Sequence, residues 1–307
     1  MILWLFLISV CFGHEFRPGV LSVEEGHEGR VRVHWVPAPL KPPSALSAAL
    51  PAHCIGERKS GVFWLQCGSE GLEGEVGVEG TFGVTEEVVL RWRLHGTADW
   101  SSASLTASNP KIDTSSRAES TRASVLPAIR SGVSHIWLGT DHLLFVTLLV
   151  LLIGFSRQLV WVVTLFTVGH SVSLIGFSVF GLSVSPLWVE PMIALTVAFM
   201  ARECLVSEDS ATQRAPLAVA LGFGLIHGLG FSTAMREMGH SSTNLGRVLF
   251  GFNLGVEIGQ LLFLLAIWVP LLLLQRWTGN GGRKAVAYCA GGLATCWIFQ
   301  RIEVLWW

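Results

Sequence analysis

Six long apolar runs fill the second half of the chain, and they constrain its fold more than any other feature. They cover roughly residues 135–155, 159–181, 186–205, 215–235, 248–274 and 284–305. Each run reaches the ~20 residues that a helix needs to cross ~30 Å of hydrocarbon. The pattern therefore predicts an α-helical polytopic membrane bundle with six spans over residues 131–307.

The first half of the chain has a different composition, with charged residues, Gly and Pro mixed as in soluble domains. Residues 30–35, 74–79 and 88–94 alternate apolar and polar side chains, and turn-forming residues separate these segments. The pattern predicts a small all-β domain resembling a sandwich over residues 14–108. A linker over residues 109–130 would join it to the membrane part.

Residues 1–13 form a short apolar stretch that ends in small residues. The stretch is too short to cross a bilayer and favours a cleavable signal peptide, so we expect the β domain to be exported. An oxidising compartment in turn favours a disulfide between Cys54 and Cys67, which bracket the strand-like residues 61–66.

The basic residues between the apolar runs indicate the orientation. With the β domain outside, the cytoplasmic loops carry Arg157, Arg202, Arg214, Arg276, Arg283 and Lys284, and the outer loops between spans carry Arg236 and Arg247. The excess lies on the side that the positive-inside rule requires. We therefore expect a multi-pass protein of a bacterial inner membrane, with the β domain extracytoplasmic and the lipid bilayer as its first partner. A net charge of -1 without a basic tract gives no case for nucleic acid.

Ionisable side chains inside the predicted spans are the candidate functional residues, because burying them in a membrane is costly. They are His135, Asp141, His142, His170, Glu190, His227 and Glu257. Three polar residues are expected to support them: Ser171, Asn253 and Gln260. A rise of ~1.5 Å per residue gives the depth of each group below the outer surface. Seven of them fall in one layer at a depth of about 7–17 Å: Asp141, His142, His170, Glu190, His227, Asn253 and Glu257. The sequence therefore predicts one shared site built from several helices.

The charge balance of this layer indicates a cation. Three carboxylates lie in it without a Lys or Arg at the same depth, so protons or a cation must neutralise them. Imidazole and carboxylate ligands suit nickel, cobalt or zinc better than magnesium or calcium. Arg301, near the outer end of the last run, could pair with Glu303, extend to the membrane surface or reach toward the site.

The position of His135 needs a separate interpretation. A straight helix places His135 and His142 about 10 Å apart along its axis. They then cannot bind one ion unless the helix is broken. His135 is accordingly predicted to be an entry residue on a metal path.

The apolar runs carry an ordered set of motifs. They are His-x5-Asp-His from His135 to His142, Phe-Thr-Val-Gly-His-Ser ending at Ser171, Glu190-Pro191, Gly-Leu-Ile-His-Gly ending at Gly228, and Phe-Asn-Leu-Gly-Val-Glu ending at Glu257. In this order they resemble the HupE/UreJ family over most of residues 132–305. The resemblance implies a secondary permease for nickel or cobalt in which the His-x5-Asp-His residues select the metal. The exported domain is similar to that of a longer branch, and it is a candidate surface for a periplasmic partner.

Two other functions would use the same residues. A membrane hydrolase would hold zinc at this site, with Ser171 polarising the substrate and Glu257 acting as general base. Bis-histidine haem binding is a third and weaker alternative. The inner halves of the predicted spans are largely apolar, which favours an outer binding pocket over an open channel. Transport of nickel or cobalt is the prediction, and zinc hydrolysis is the alternative to it.

Overall fold

The computed structural model describes residues 19–37, 45–56, 61–82, 88–97, 100–114, 125–180, 182, 184–206, 211–237 and 242–303. The predicted signal peptide and residues 115–124 of the predicted linker lie outside these ranges. The chain divides into two compact units. One unit holds the strands, and the other holds most of the helical residues.

Eight strands form two sheets in the described part of the first unit. They are β1 (Gly19–Glu25), β2 (Arg30–Val36), β3 (Ser47–Ala49), β4 (Gly61–Gln66), β5 (Glu75–Glu79), β6 (Val88–Arg93), β7 (Ser101–Leu105) and β8 (Lys111–Asp113). The larger sheet has the order β4-β2-β1-β6-β7, and the smaller has the order β3-β5-β8. β1 and β6 are parallel, and the other paired strands are antiparallel.

The alternation in the sequence explains the core of this unit. In β2 the apolar residues Val31, Val33 and Trp35 are buried, and the residues between them face outward. Inward-facing residues of both sheets form one apolar cluster. The prediction of an N-terminal β region is therefore confirmed, and so is the disulfide between Cys54 and Cys67.

Eight helices follow in the described residues. They are α1 (Val125–Leu138), α2 (Thr140–Ile153), α3 (Arg157–Val179), α4 (Pro186–Leu205), α5 (Ala211–Arg214), α6 (Pro216–Glu237), α7 (Ser242–Thr278) and α8 (Asn280–Glu303). α4 packs along α8 and also contacts α2. Residues of α2 such as Phe145 and Leu149 lie at the centre of the apolar cluster of this unit.

The lengths and hydropathies of the helices support a membrane protein. Among the described residues, however, fewer helices qualify as spans than the six that the sequence predicts. Among the described residues, α3 and the segment Leu245–Thr278 of α7 are long and apolar enough to cross a membrane. α1 and α2 supply a third span if the pair, which is bent by 71°, crosses as one unit. α4 and α8 are not among the helices that qualify as spans by length and composition.

Candidate metal site

A break between α1 and α2 brings the first two candidate histidines together. Gly139 is the one residue between the two helices, and their axes bend by 71° there. The rings of His135 and His142 consequently lie 4.8 Å apart between centroids. The expectation of a continuous helix with His135 as a distant entry residue is wrong, because Gly139 interrupts the helix within the motif.

Gly139 has little room around it. A Cβ added at this position would lie 2.8 Å from Nδ1 of His142 and 2.7 Å from the carbonyl oxygen of His135. Its own N–H donates to that His135 oxygen at 3.0 Å, and its carbonyl accepts from the N–H of Leu143 at 3.1 Å. The bend is thus hydrogen-bonded on both sides and sterically suited to glycine.

Four histidines from four helices meet beside this break. Each of His135, His142 and His170 can offer one nitrogen such that these atoms all lie within 4.8 Å of one another. His227 joins them through its Nδ1, which is 3.3 Å from Nε2 of His142. All four side chains are buried. Of the seven predicted ligands, His135, His142 and His170 form a group that could hold one ion, and His227 adjoins this group through its contact with His142.

Polar neighbours fix the tautomers of two of these histidines. The hydroxyl of Thr196 donates its one proton to the carbonyl of Ile193 at 2.7 Å, so it accepts from Nε2–H of His227 at 2.8 Å. Nδ1 of His227 then carries a lone pair. The carbonyl oxygen of the Asn253 side chain accepts from Nδ1–H of His170 at 3.4 Å, which leaves a lone pair on Nε2 of His170.

Several nitrogens of the cluster lack a partner within the described chain. They are both ring nitrogens of His135 and Nε2 of His170. Buried polar atoms are usually hydrogen-bonded, so unpartnered ones call for an explanation such as a bound ion. The 3.3 Å between Nε2 of His142 and Nδ1 of His227 is a hydrogen-bond distance between the two rings. It also equals the separation of about 3.3 Å that two nitrogens ~2.0–2.1 Å from one tetrahedral ion would have.

Aromatic rings enclose the cluster. Four phenylalanines lie within 6.3 Å of a histidine ring between centroids: Phe145, Phe166, Phe231 and Phe252. Phe231 and Phe252 stack on each other at 4.5 Å. An ion in this cluster would be shielded from water on these sides.

Close helix packing places the histidines of α3 and α6. A Cβ at Gly224 would clash with the carbonyl of Phe166, and one at Gly228 would clash with the carbonyl of His170. In the other direction, a Cβ at Gly169 would clash with Leu221. Glycine at these three positions lets the two backbones touch, as small residues do in membrane helix pairs.

Asp141 and Glu190 belong to a different group, which is centred on Arg301. The guanidinium donates to Oδ2 of Asp141 at 2.9 Å and to the backbone carbonyl of Glu190 at 2.8 Å. Its Nε lies 3.9 Å from Oε2 of Glu190. The side chains of Arg301 and Asp141 are only 9% and 8% exposed. The expectation that no basic residue lies at the depth of these carboxylates is therefore wrong, and the alternative that Arg301 reaches toward the site is confirmed.

Glu257 belongs to a third group, between α3 and α7. Its Oε1 accepts from the hydroxyl of Thr164 at 2.6 Å, and one turn away the side-chain oxygen of Gln260 accepts from Thr167 at 2.8 Å. Ser171 donates to the backbone carbonyl of Thr167 at 2.7 Å. Beside this seam runs a groove of about 790 Å³ with mostly apolar walls.

Three buried or site-contacting polar residues were not identified from the sequence. Thr196 and Thr164 each hold a candidate residue, and Glu203 is a fully buried carboxylate that accepts from the backbone N–H of Thr212 at 2.8 Å. Glu203 carried the same signal as Glu190, a charge within an apolar run. The threonines carried no signal, because Thr is common in membrane helices as a partner of the backbone.

Comparison with known proteins agrees with the motifs. A family model described as HupE / UreJ protein matches residues 111–301, which is more than half of the 307-residue chain. No curated protein and no solved structure matches significantly. The match covers every member of the histidine cluster and the Arg301 group. The chain belongs to the HupE/UreJ family.

Proposed function

We propose that this protein binds a divalent transition metal ion, nickel or cobalt, in the four-histidine cluster and transports it across the membrane. The observation that carries the proposal is the approach of the His135, His142 and His170 nitrogens to within 4.8 Å. Family membership supports the choice of nickel or cobalt, since the HupE/UreJ family is associated with their transport.

The ligand chemistry supports a borderline metal. Imidazole nitrogen suits zinc, copper, iron and nickel, whereas magnesium and calcium prefer oxygen ligands. Asn253 and Thr196 orient two of the rings through hydrogen bonds to the nitrogen that does not face the cluster. Metal-binding histidines are commonly held in this way, and loss of such a partner typically costs 10–100-fold in affinity.

The carboxylates have supporting roles in this proposal. Asp141 directly precedes His142, and its bond to Arg301 holds the first turn of α2 in place. Glu190, before Pro191 in α4, accepts from the same guanidinium through its backbone carbonyl. Neither carboxylate needs to contact the ion for the histidines to bind it.

Access to the cluster requires side chains to move. Phenylalanine rings flank the cluster, so an ion that approaches from their side must pass between them. We propose the six-span arrangement with the β domain extracytoplasmic, in an inner membrane, from the excess of basic residues in the loops assigned to the cytoplasm.

Uptake of radioactive nickel tests this function. Cells that express the protein should accumulate more nickel than cells without the gene, and His142→Ala should abolish the difference because the ring contacts both His135 and His227. His34→Ala removes an exposed histidine of β2 and is the matched control. Equal uptake with and without the gene would refute transport.

Zinc-dependent hydrolysis is the second candidate. One observation favours it, because Ser171 and Glu257 line the same apolar groove between α3 and α7 and Ser171 directly follows His170. A hydrolase would retain zinc in stoichiometric amount, cleave a lipid or peptide, and lose that activity in Ser171→Ala. Nickel uptake that persists in Ser171→Ala and stops in His142→Ala would favour the transporter.

A further inference from the structure

The strand unit brings two histidines together at one edge of its larger sheet. β1 and β6 are parallel neighbours, with Glu24 paired to Arg93. The carboxyl ends of parallel strands meet at the same edge, so the turns that follow them are adjacent. These turns carry His27 and His95, whose rings lie 4.7 Å apart between centroids at an angle of 67°.

The turn that carries His27 is firmly held. Gln66 donates to the carbonyl of Glu28 at 2.6 Å, and the N–H of Cys67 donates to the carbonyl of Gly29 at 2.8 Å. Glu28 has a φ of 57°, which is rare for a residue other than glycine. Cys67 is in turn linked to Cys54. The neighbouring strand therefore fixes the backbone beside the first imidazole.

The turn that carries His95 is held by a carboxylate. Oε2 of Glu25 accepts from the backbone N–H of His95 at 3.1 Å. Thr97 closes the turn by donating to the carbonyl of Leu94 from both its N–H and its hydroxyl. Glu25 thus connects the end of β1 to the backbone of the turn that carries the second imidazole.

An open pocket lies at this place. It has a volume of about 510 Å³ and is lined by Glu25, Gly26, Glu28, Gly29, Gly68, Ser69 and His95. His95 lines this pocket, and His27 lies in the chain between its lining residues Gly26 and Glu28. The charged lining residues Glu25 and Glu28 are acidic, and both histidines are exposed to solvent. Two imidazoles held close together beside carboxylates are the donor set of a borderline divalent metal.

We propose that His27 and His95 form a second binding site for a divalent transition metal ion in the strand unit. The ion binds the two imidazoles, and water completes its coordination because the pocket is open. Exposure makes this site weaker and faster to exchange than the buried cluster of the helical unit. The site stands on the geometry of the strand unit and does not depend on transport.

Nickel binding to the purified full chain tests the proposal. The protein in detergent, freed of metal by a chelator, is dialysed against Ni²⁺, and bound nickel is counted by elemental analysis. His27→Ala/His95→Ala should lose one equivalent of nickel, or bind it at least about tenfold more weakly. His34→Ala is the control, since it also removes an exposed imidazole from the same unit but outside the pair.

The same titration in a His142→Ala background separates this site from the buried cluster. The loss caused by His27→Ala/His95→Ala should be the same in both backgrounds. The proposal would be overturned if His27→Ala/His95→Ala and His34→Ala bind the same amount of nickel with the same affinity. This holds whether both bind as the unmodified protein does or both lose nickel equally. Circular dichroism of each variant, which should be unchanged, excludes unfolding as the cause of a loss.

Discussion

Arg301 links three elements of the helical unit through one side chain. It lies near the end of α8 and donates to Asp141 at the start of α2 and to Glu190 in α4. The planar guanidinium holds five N–H donors in a rigid fork and can bond two acceptors in fixed directions, whereas the donors of a lysine ammonium rotate on a flexible stem. The second oxygen of Asp141, Oδ1, has no partner in the described residues, so this carboxylate depends strongly on the arginine.

Arg301→Gln should destabilise the helical unit. Removing one partner of a buried ion pair leaves the other charge uncompensated and typically costs about 3–5 kcal/mol. Thermal unfolding in detergent measures the change. Arg276→Gln, at an exposed arginine in the last turn of α7, should change stability by less than about 0.5 kcal/mol. If adding Asp141→Asn to Arg301→Gln restores stability, the unpaired charge of Asp141 is the cause of the loss. Equal destabilisation by Arg301→Gln and Arg276→Gln would contradict this prediction.

Among the elements, the broken pair of α1 and α2 determines the geometry of the metal site. A continuous helix would carry His135 and His142 in line, whereas the 71° bend turns the two rings toward each other. α3 and α6 add their histidines through glycine contacts. Breaks of this kind, inside protein rather than against lipid, are where membrane helices bind substrates and ions.

Gly139→Ala should weaken metal binding more than it weakens the fold. The added methyl group would press on Nδ1 of His142 and on the carbonyl of His135, so the ring must move out of the cluster. We expect at least about a tenfold loss in nickel affinity, measured by equilibrium dialysis. Gly222→Ala is the control, because a Cβ there meets no atom within 4 Å. Wild-type affinity in Gly139→Ala would show that the bend does not position His142.

At the scale of the whole molecule, the chain consists of two compact units with different sources of stability. The helical unit has a large apolar cluster. The strand unit has a smaller one and a disulfide, as is common in small exported domains. The two units should therefore respond separately to reduction.

Replacing the disulfide should affect the strand unit alone. Cys54→Ser/Cys67→Ser removes a link across 13 residues, and a loop of this size contributes about 3 kcal/mol. Hydrogen exchange measured by mass spectrometry should show faster exchange in β2 and β4 and unchanged exchange in α2. Cys289→Ser/Cys296→Ser, at two exposed free cysteines, should leave both regions unchanged. Faster exchange in α2 of the first variant would show that the units are coupled.

Local patterns in the sequence predicted the structural features that depend on residues close together in the chain. Alternation located β2, and the spacing of Cys54 and Cys67 around a strand predicted their bond. The search for ionisable side chains within the apolar runs identified all four clustered histidines. The bond between Asp141 and Arg301 spans 160 residues and leaves no local pattern. The break at Gly139 was also not predicted, because a single glycine in an apolar run is compatible with a continuous helix.

The ion pair of Arg301 has an electrical consequence for the transport proposal. Because Arg301 already pairs with Asp141 and neutral imidazoles add no charge, the ion would bring two positive charges of its own into the cluster. A membrane potential acts on each such charge with about 2.3 kcal/mol per 100 mV across the full bilayer. Loading and release of a transported ion would then be voltage-dependent, and an inside-negative potential would favour inward movement of the ion.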